Sequence, residues 1–167
     1  SIDQDQSIPM FPGYEVVAVG RGRGKGIAVI KKEDIKAKAM NVNENNLQII
    51  KQSTEGLDII NVYRSSDRSI KEAAEKMRQV VVEKRTTLVT GDFNVCVREN
   101  RNNQITKMME RLGFKQLVME ATQIEVIDHV YWRDNYDSWE KPDIERYSPY
   151  YSDHDGLLVT LRKVKFQ

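Results

Sequence analysis

Four short polar clusters stand where apolar runs of the chain end, at residues 61–64, 91–94, 127–129 and 152–154. Together they contain carboxylate, imidazole, amide, phenol and guanidinium groups. Carboxylates can hold a hard divalent cation such as Mg²⁺, which keeps several waters and takes phosphate oxygens as further ligands. A histidine oriented by a carboxylate can deprotonate water, and amide and phenol groups can stabilise a charged transition state. This combination of side-chain groups therefore suits hydrolysis of a phosphate ester.

Each cluster also has a purely structural explanation. Gly91, Asp92 and Asn94 can supply the unusual dihedral angles and local hydrogen bonds of a turn. An aspartate next to a histidine before a strand is more often a loop than a site, and this pair occurs twice, at His129 and at His154. What favours a site is the chemical complementarity of the four clusters taken together.

The bulk composition fits one globular domain. The chain has 167 residues, of which 40% are hydrophobic and 31% charged, and its formal net charge is +1. That length supports one hydrophobic core, so we expect a single domain over residues 1–167. A net charge near zero argues against a non-specific polyanion binder. The single cysteine, Cys96, excludes an internal disulfide. No apolar run approaches the roughly 18 residues of a membrane span, so we expect no membrane partner.

Short apolar or alternating runs, separated by glycine, asparagine and charged residues, predict seven strands. They cover residues 16–19, 27–30, 47–50, 57–62, 86–90, 126–132 and 157–161.

Two other stretches have the period of a helix. Between residues 69 and 84 the apolar side chains fall on one face, and Ser69 followed by Glu72 is a capping-box pattern. Asn103 as N-cap and Gly113 as stop bound a second helix. Strands outnumber the two separated helices, so the sequence predicts an α+β layered domain whose polar clusters gather where strands end.

A glycine-rich run with three basic side chains precedes the second strand. Arg21, Arg23 and Lys25 alternate with glycines, and they either contact phosphates from a flexible hairpin or form a solvated basic turn. The run lacks the Gly-Lys-Ser/Thr of a Walker A loop and the Gly-x-Gly-x-x-Gly spacing of a dinucleotide fold. Kinase-like and dinucleotide-binding functions are therefore disfavoured.

Three motifs in chain order resemble the endonuclease/exonuclease/phosphatase family. They are Gly91-Asp92-Phe93-Asn94, Ile127-Asp128-His129-Val130 and Ser152-Asp153-His154. The glycine-rich run and Asn61-Val62-Tyr63-Arg64-Ser65 are similar to the mobile-element branch of that family. The resemblance runs through nearly the whole chain. It implies a DNase I-like, four-layered α/β sandwich and Mg²⁺-dependent phosphodiester hydrolysis, as in apurinic and retrotransposon endonucleases.

The resemblance implies a role for each acidic and basic residue of these motifs. His154 would be the general base that activates the attacking water, and Asp128 would orient it. Asp153 would sit at the metal or organise its water shell. Asp92 would position the nucleophile or protonate the leaving group. Mg²⁺ is the cofactor that the family implies, with Mn²⁺ as a substitute.

The resemblance also assigns the polar groups that would contact the substrate. Asn94 would hold the scissile phosphate and Tyr63 would bond a phosphate oxygen. Arg64 would contact a backbone phosphate, together with the basic side chains of the glycine-rich run. His129 occupies a position where the family usually has an ordinary strand residue. The implied partner is DNA, which in turn implies a nuclear location.

The chain departs from the family pattern at its N-terminal end. The family begins with a strand ending in an asparagine, followed by a strand ending in a glutamate that ligates Mg²⁺. Both should precede Phe11, where this chain has ten residues, and Asp3 and Asp5 are poor replacements for the glutamate. We therefore expect the domain to lack the family's N-terminal strands, to bind Mg²⁺ more weakly, and to allow self-association through an open sheet edge.

Two alternatives to an active endonuclease stay open. The first is a catalytically weakened or inactive domain that binds nucleic acid or a protein partner. The second is a phosphatase or phospholipid phosphodiesterase of the same family, although the longer insertions of those branches are not found.

Overall fold

Ten strands and two helices make up the part of the chain that the structure, a computed structural model, describes. The described residues are 8, 10–22, 25–44, 46–96, 102–118, 127–150 and 152–165, and the side chains of residues 18–22 and 25 fall outside the description. In chain order the elements are β1 (Tyr14–Gly22), β2 (Lys25–Lys32), β3 (Lys38–Glu44), β4 (Leu47–Thr54), β5 (Leu57–Arg64), α1 (Ile70–Val80), β6 (Thr87–Asp92), α2 (Gln104–Arg111), β7 (Lys115–Gln116), β8 (Asp128–Arg133), β9 (Asp143–Tyr147) and β10 (Gly156–Thr160).

Six of the strands form one mixed sheet in the order β3-β4-β5-β6-β8-β7. Only the central pair, β5 and β6, is parallel, and the other neighbours are antiparallel. A parallel pair needs a crossover connection, which α1 supplies between the two strands. The C-terminal ends of β5 and β6 therefore lie at the same end of the sheet as the start of β8.

Both described helices pack on one face of this sheet. α1 buries Ala73, Ala74 and Met77, and α2 buries Ile105 and Met109. These side chains share a core with residues of the sheet: Leu47, Ile49, Ile60, Val62, Val89, Phe93 and Tyr131. Burial of each large apolar side chain contributes roughly 1.5–3 kcal/mol, so this face supplies much of the stability.

The opposite face of the sheet carries two β-hairpins. β1 pairs with β2, and β9 pairs with β10, each as a separate two-stranded sheet. The second hairpin covers a smaller core that includes Leu88, Val130 and Trp132. A hydrogen bond of 2.9 Å from the Ile27 amide to Oε1 of Gln48 ties the first hairpin to β4. The described residues thus form three layers: hairpins, sheet and helices.

The predicted α+β class is confirmed, with differences at element ends and at the sheet edges. The first helix ends at Val80, not at residue 84, because Val81 is already extended with ψ of 126°. The predicted cap is present in part, since the Ser69 hydroxyl accepts from the Glu72 amide at 3.4 Å. The sequence did not predict β3, β7 and β9. Neither described helix is long or apolar enough to span a lipid bilayer.

Candidate active site

Strand register places three of the predicted residues in one row across the sheet. Tyr63 on β5 pairs with Asp92 on β6, and Asp92 pairs with Asp128 on β8. Residues directly opposite one another on neighbouring strands project from the same face, about 5 Å apart. Leu88 and Val130, which share that face with the two aspartates, belong to the smaller core under the hairpins. The row therefore lies on the hairpin face, at the end of the central strands.

Gly91 allows β5 and β6 to meet directly beneath this row. Its φ is +146°, and a Cβ atom added there would lie 1.8 Å from the carbonyl oxygen of Val62. No side chain fits at that distance, so only glycine permits this approach. The glycine of the Gly-Asp-Phe-Asn motif is thus required because β6, the strand that carries Asp92, packs directly against the backbone of β5.

The predicted histidine and its orienting carboxylate are in contact. Nδ1 of His154 lies 2.8 Å from Oδ2 of Asp128, and both side chains are partly exposed, by 32% and 16%. A carboxylate only accepts hydrogen bonds, so Nδ1 carries a proton and Nε2 is the basic nitrogen of the neutral ring. The Ser152 hydroxyl accepts from the His154 amide at 3.1 Å, which helps to shape the loop before β10.

Asp92 completes a three-residue cluster. The ligand atoms of Asp92, Asp128 and His154 all lie within 4.8 Å of one another, and the three side chains are half-buried. Oδ1 of Asp92 also accepts a 2.9 Å hydrogen bond from the Asn94 amide. Side chains from two strands and one loop thus converge on one small volume.

The cluster shifts the protonation equilibria of two of its members. Burial raises the pKa of Asp92 above its ordinary value, and the charge of Asp128 raises it further against the opposing effects of the Asn94 amide, His154 and Arg64. Burial alone would lower the pKa of His154, but its hydrogen bond to Asp128 and the nearby carboxylates leave that pKa raised. Perturbed groups of this kind are frequent in functional sites.

Asn94 lies at the rim of the cluster in a left-handed backbone conformation, with φ of +48°. Its side-chain nitrogen donates to the backbone carbonyl of Arg64 at 2.7 Å. One of the two side-chain N–H bonds is therefore committed to the protein, while the amide oxygen and the second N–H bond are the groups that a substrate could use.

Arg64 has a different position from the one predicted for it. The residue is only 3% exposed. Its Nε donates to the Phe93 carbonyl at 2.6 Å, its Nη2 donates to the Asn94 carbonyl at 2.8 Å, and its Nη1 donates to the Arg68 carbonyl. This corrects the expected phosphate contact, because the guanidinium serves the protein's own backbone.

His129 projects from the opposite face of β8 to Asp128 and is fully buried. Its Nε2 lies 2.8 Å from the Val95 carbonyl, and its Nδ1 lies 3.1 Å from the Tyr131 hydroxyl. His129 is thus separate from the His154 cluster and belongs to the helix-side core.

The remaining predicted residues lie outside the cluster, or they or their side chains are not among those that the structure describes. Asp153 is exposed in the loop before β10 and is not part of the cluster, although its charge contributes to raising the pKa of His154. Arg21 and Lys25 have described backbones but not side chains. Arg23, Asp3 and Asp5 lie outside the described residues.

One residue of the row was missed from the sequence. Gln48 pairs with Tyr63, is 1% exposed, and accepts the hydrogen bond from the first hairpin. The available signal was a single amide inside the apolar run of residues 47–50. Only the pairing of β4 with β5 reveals that this amide extends the polar row.

The donor set is compatible with a hard cation. In the part of the chain that the structure describes, Asp92, Asp128 and His154 are the one group of acidic, histidine or cysteine side chains spaced to hold a metal ion. Mg²⁺ is commonly bound through one or two carboxylates while it keeps several waters. A cation would also relieve the repulsion between the two carboxylates, which contributes to the raised pKa of Asp92.

The fold is shared with solved structures of nucleases. The endonuclease domain of TRAS1, a telomere-specific non-LTR retrotransposon, aligns with a TM-score of 0.65 and 19% identity over 91% of this chain and 80% of that one. An AP endonuclease from Archaeoglobus fulgidus aligns with a TM-score of 0.58 and 15% identity over 89% and 79% of the two chains. An endonuclease/exonuclease/phosphatase family protein from Leptotrichia buccalis gives 0.53 and 14% over 89% and 72%.

No protein-family model and no curated protein matches the chain. At identities below 20% the structural likeness shows the fold alone. It confirms the DNase I-like fold that the resemblance implied.

Proposed function

We propose that this chain is a divalent-metal-dependent phosphodiesterase that cuts DNA endonucleolytically, with His154 as its general base. The observation that carries the proposal is the Asp128–His154 pair at 2.8 Å, with Asp92 beside it at the end of the central strands. The fold shared with solved nuclease structures adds support.

In the proposed reaction, His154 takes a proton from the attacking water. Because Nδ1 of the neutral ring donates to Asp128, the Nε2 lone pair is available to accept that proton. Asp128 keeps the ring in this tautomer and stabilises the imidazolium that forms. The raised pKa of His154 increases its strength as a base.

Asp92 and two neutral side chains act on the phosphate in this proposal. The pKa of Asp92 is raised by burial, which suits a carboxyl group that must deliver a proton to the leaving oxygen. Asn94 and Tyr63 donate hydrogen bonds to non-bridging phosphate oxygens, where negative charge increases in the transition state.

Asp128 is the residue of the cluster that we propose to hold Mg²⁺ or Mn²⁺, with exposed Asp153 organising the surrounding water, because Asp92 must keep its proton for the leaving oxygen. When bound, the cation would stabilise charge on the phosphate oxygens and polarise the attacking water.

DNA is the proposed substrate. In its favour, the structures with the same fold include a retrotransposon endonuclease domain and an AP endonuclease. Contacts from Arg21, Arg23 and Lys25 to the DNA backbone, a nuclear location and self-association through a sheet edge are further proposals that follow from this substrate or from the sequence.

Nicking of supercoiled plasmid tests the function. We expect the purified chain to convert supercoiled DNA to the open circle in Mg²⁺ but not in EDTA, and to release no phosphate from inositol phosphates in parallel assays. Nicking that persists in EDTA would contradict the metal requirement, and phosphate release without nicking would move the substrate to the phosphatase branch.

A binding function is the second candidate, and the composition of the cluster favours it. Among the described residues, two carboxylates and one imidazole are a sparse ligand set for a divalent cation. A binding module would retain DNA affinity in fluorescence anisotropy, show no turnover in Mg²⁺, and lose little affinity on His154→Ala.

A further inference from the structure

The loop that follows Asp92 and carries Asn94 is held from the helix side of the sheet by two buried side chains. Three consecutive backbone carbonyls, of Phe93, Asn94 and Val95, each accept a side-chain hydrogen bond. Arg64 donates to the first two at 2.6 and 2.8 Å. His129 lies 2.8 Å from the third, and because a carbonyl only accepts, its Nε2 must carry the proton.

Ring packing holds the same loop in place. Phe93 is fully buried, stacks on His129 with ring centroids 4.7 Å apart, and meets the edge of Tyr131 at 5.8 Å. The Phe93 amide donates to the Ile127 carbonyl at 2.9 Å, next to Asp128 in the chain. The loop is therefore tied both to the core and to the strand that carries the second carboxylate.

We propose that Arg64 and His129 are positioning residues, a clamp that fixes Asp92 and Asn94 in reacting geometry. This proposal rests on the proposed phosphodiesterase function. A buried carbonyl that loses its donor must turn toward water or another donor, and the backbone turns with it. Any such rotation at residues 93–95 moves the Asn94 amide, which bonds the Asp92 carboxylate.

The two residue types suit this task. The planar guanidinium of Arg64 spans neighbouring carbonyls with fixed geometry, whereas a lysine is a single flexible point charge. Its positive charge also opposes the rise in the pKa of Asp92. The ring of His129 is fixed at its other nitrogen by the Tyr131 hydroxyl, so Nε2 points at the Val95 carbonyl.

Paired variants of His129 separate positioning from bulk packing. His129→Gln keeps an N–H donor at a similar distance from the backbone, and His129→Leu removes it. We expect kcat for plasmid nicking to fall about 10–10²-fold in His129→Leu, the size that misplacement of a reacting group produces, with KM changed less than about twofold. His129→Gln should recover kcat to within about threefold of the wild type, because it restores the hydrogen bond.

Arg64→Lys tests the other half of the clamp. It keeps the charge but cannot span two carbonyls, so we expect kcat to fall with little change in KM. If His129→Leu does not fold, the test rests on Arg64→Lys and His129→Gln. Wild-type kcat in folded Arg64→Lys or folded His129→Leu would overturn the proposal, as would a His129→Gln variant as slow as His129→Leu.

Hydrogen exchange tests the clamp without any activity. We expect the amide of Asn94 to exchange at least about tenfold faster in the Leu or Lys variant, while the amide of Ile49 in β4 is unchanged, because only the local opening is affected. Unchanged exchange at Asn94 would overturn the clamp even if the wild type cuts DNA. Faster exchange at Asn94 in either variant, when the wild type itself has no nuclease activity, would support the clamp and contradict the proposed function.

Discussion

The pair of Asp128 and His154 gives the clearest prediction at the scale of single residues. Asp128→Asn keeps the shape of the side chain but removes the charge that raises the pKa of His154. We therefore expect that pKa to be lower than in the wild type, measured by NMR titration of the ring in EDTA. Asp137→Asn, an exposed aspartate elsewhere, is the control. An unchanged pKa in Asp128→Asn would contradict the contact between the two side chains.

The family resemblance of the motifs identified the three residues of the cluster, but the sequence did not show the face on which each polar side chain lies. The resemblance implied that Asp128 orients His154, and the structure has the two side chains in contact. Tyr63 and Arg64 are neighbours on β5 and therefore project to opposite faces of the sheet. Because the sequence does not say which face carries the chemistry, it could not show that Tyr63 joins the row and that Arg64 is buried.

At the scale of elements, the close approach of β5 and β6 depends on Gly91. Gly91→Ala would place a methyl group 1.8 Å from the Val62 carbonyl, so the strands must separate or twist. We expect an overpacking cost of about 1–3 kcal/mol in the free energy of unfolding, measured by urea denaturation, together with loss of nicking as Asp92 moves.

Gly56→Ala is the matched control for this change. Gly56 also has a positive φ, +81°, but no heavy atom lies within 4 Å of its added Cβ. Its alanine variant carries only the backbone strain of a left-handed residue, of the order of 1 kcal/mol, and it should retain nicking. Equal losses of stability and activity in both variants would mean that the contact with Val62 does not matter.

Elements with a strong apolar pattern could be predicted from the sequence. Elements held mainly by hydrogen bonds to a neighbouring strand could not. α1 and α2 have apolar faces and caps, and β5 and β8 are rich in apolar residues. β3 is an edge strand whose residues are mostly exposed, and β9 is similarly exposed. Their sequences carry few apolar side chains, so the hydrogen bonds to β4 and β10 decide their conformation, and a single sequence does not encode these visibly.

At the scale of the whole molecule, the two faces of the main sheet have different tasks. The helix face buries the larger core together with Arg64 and His129, which hold the loop after β6. The hairpin face carries the half-buried polar row and the loop that delivers His154. Packing on the helix side can therefore fix the geometry of the polar row on the hairpin side, as the proposed catalytic function requires.

The order of motifs along the chain was enough to predict the DNase I-like fold, which the structure and its alignments confirm. The sequence could not predict that the layer opposite the helices consists of two separate hairpins. That outcome depends on which strands pair with each other. The sequence also could not predict that Asp92, Asp128 and His154 cluster without Asp153, since exposure in the loop before β10 decides that difference.

We propose that His154 is the general base of a metal-dependent DNA endonuclease. The most direct test of this claim is the rate of plasmid nicking in Mg²⁺ by His154→Ala, beside Lys107→Ala on the exposed side of α2 as control. We predict that His154→Ala loses about 10²–10⁴-fold in kcat, as removal of a general base requires, while Lys107→Ala matches the wild type. A folded His154→Ala variant that nicks DNA as fast as the wild type would contradict the claim.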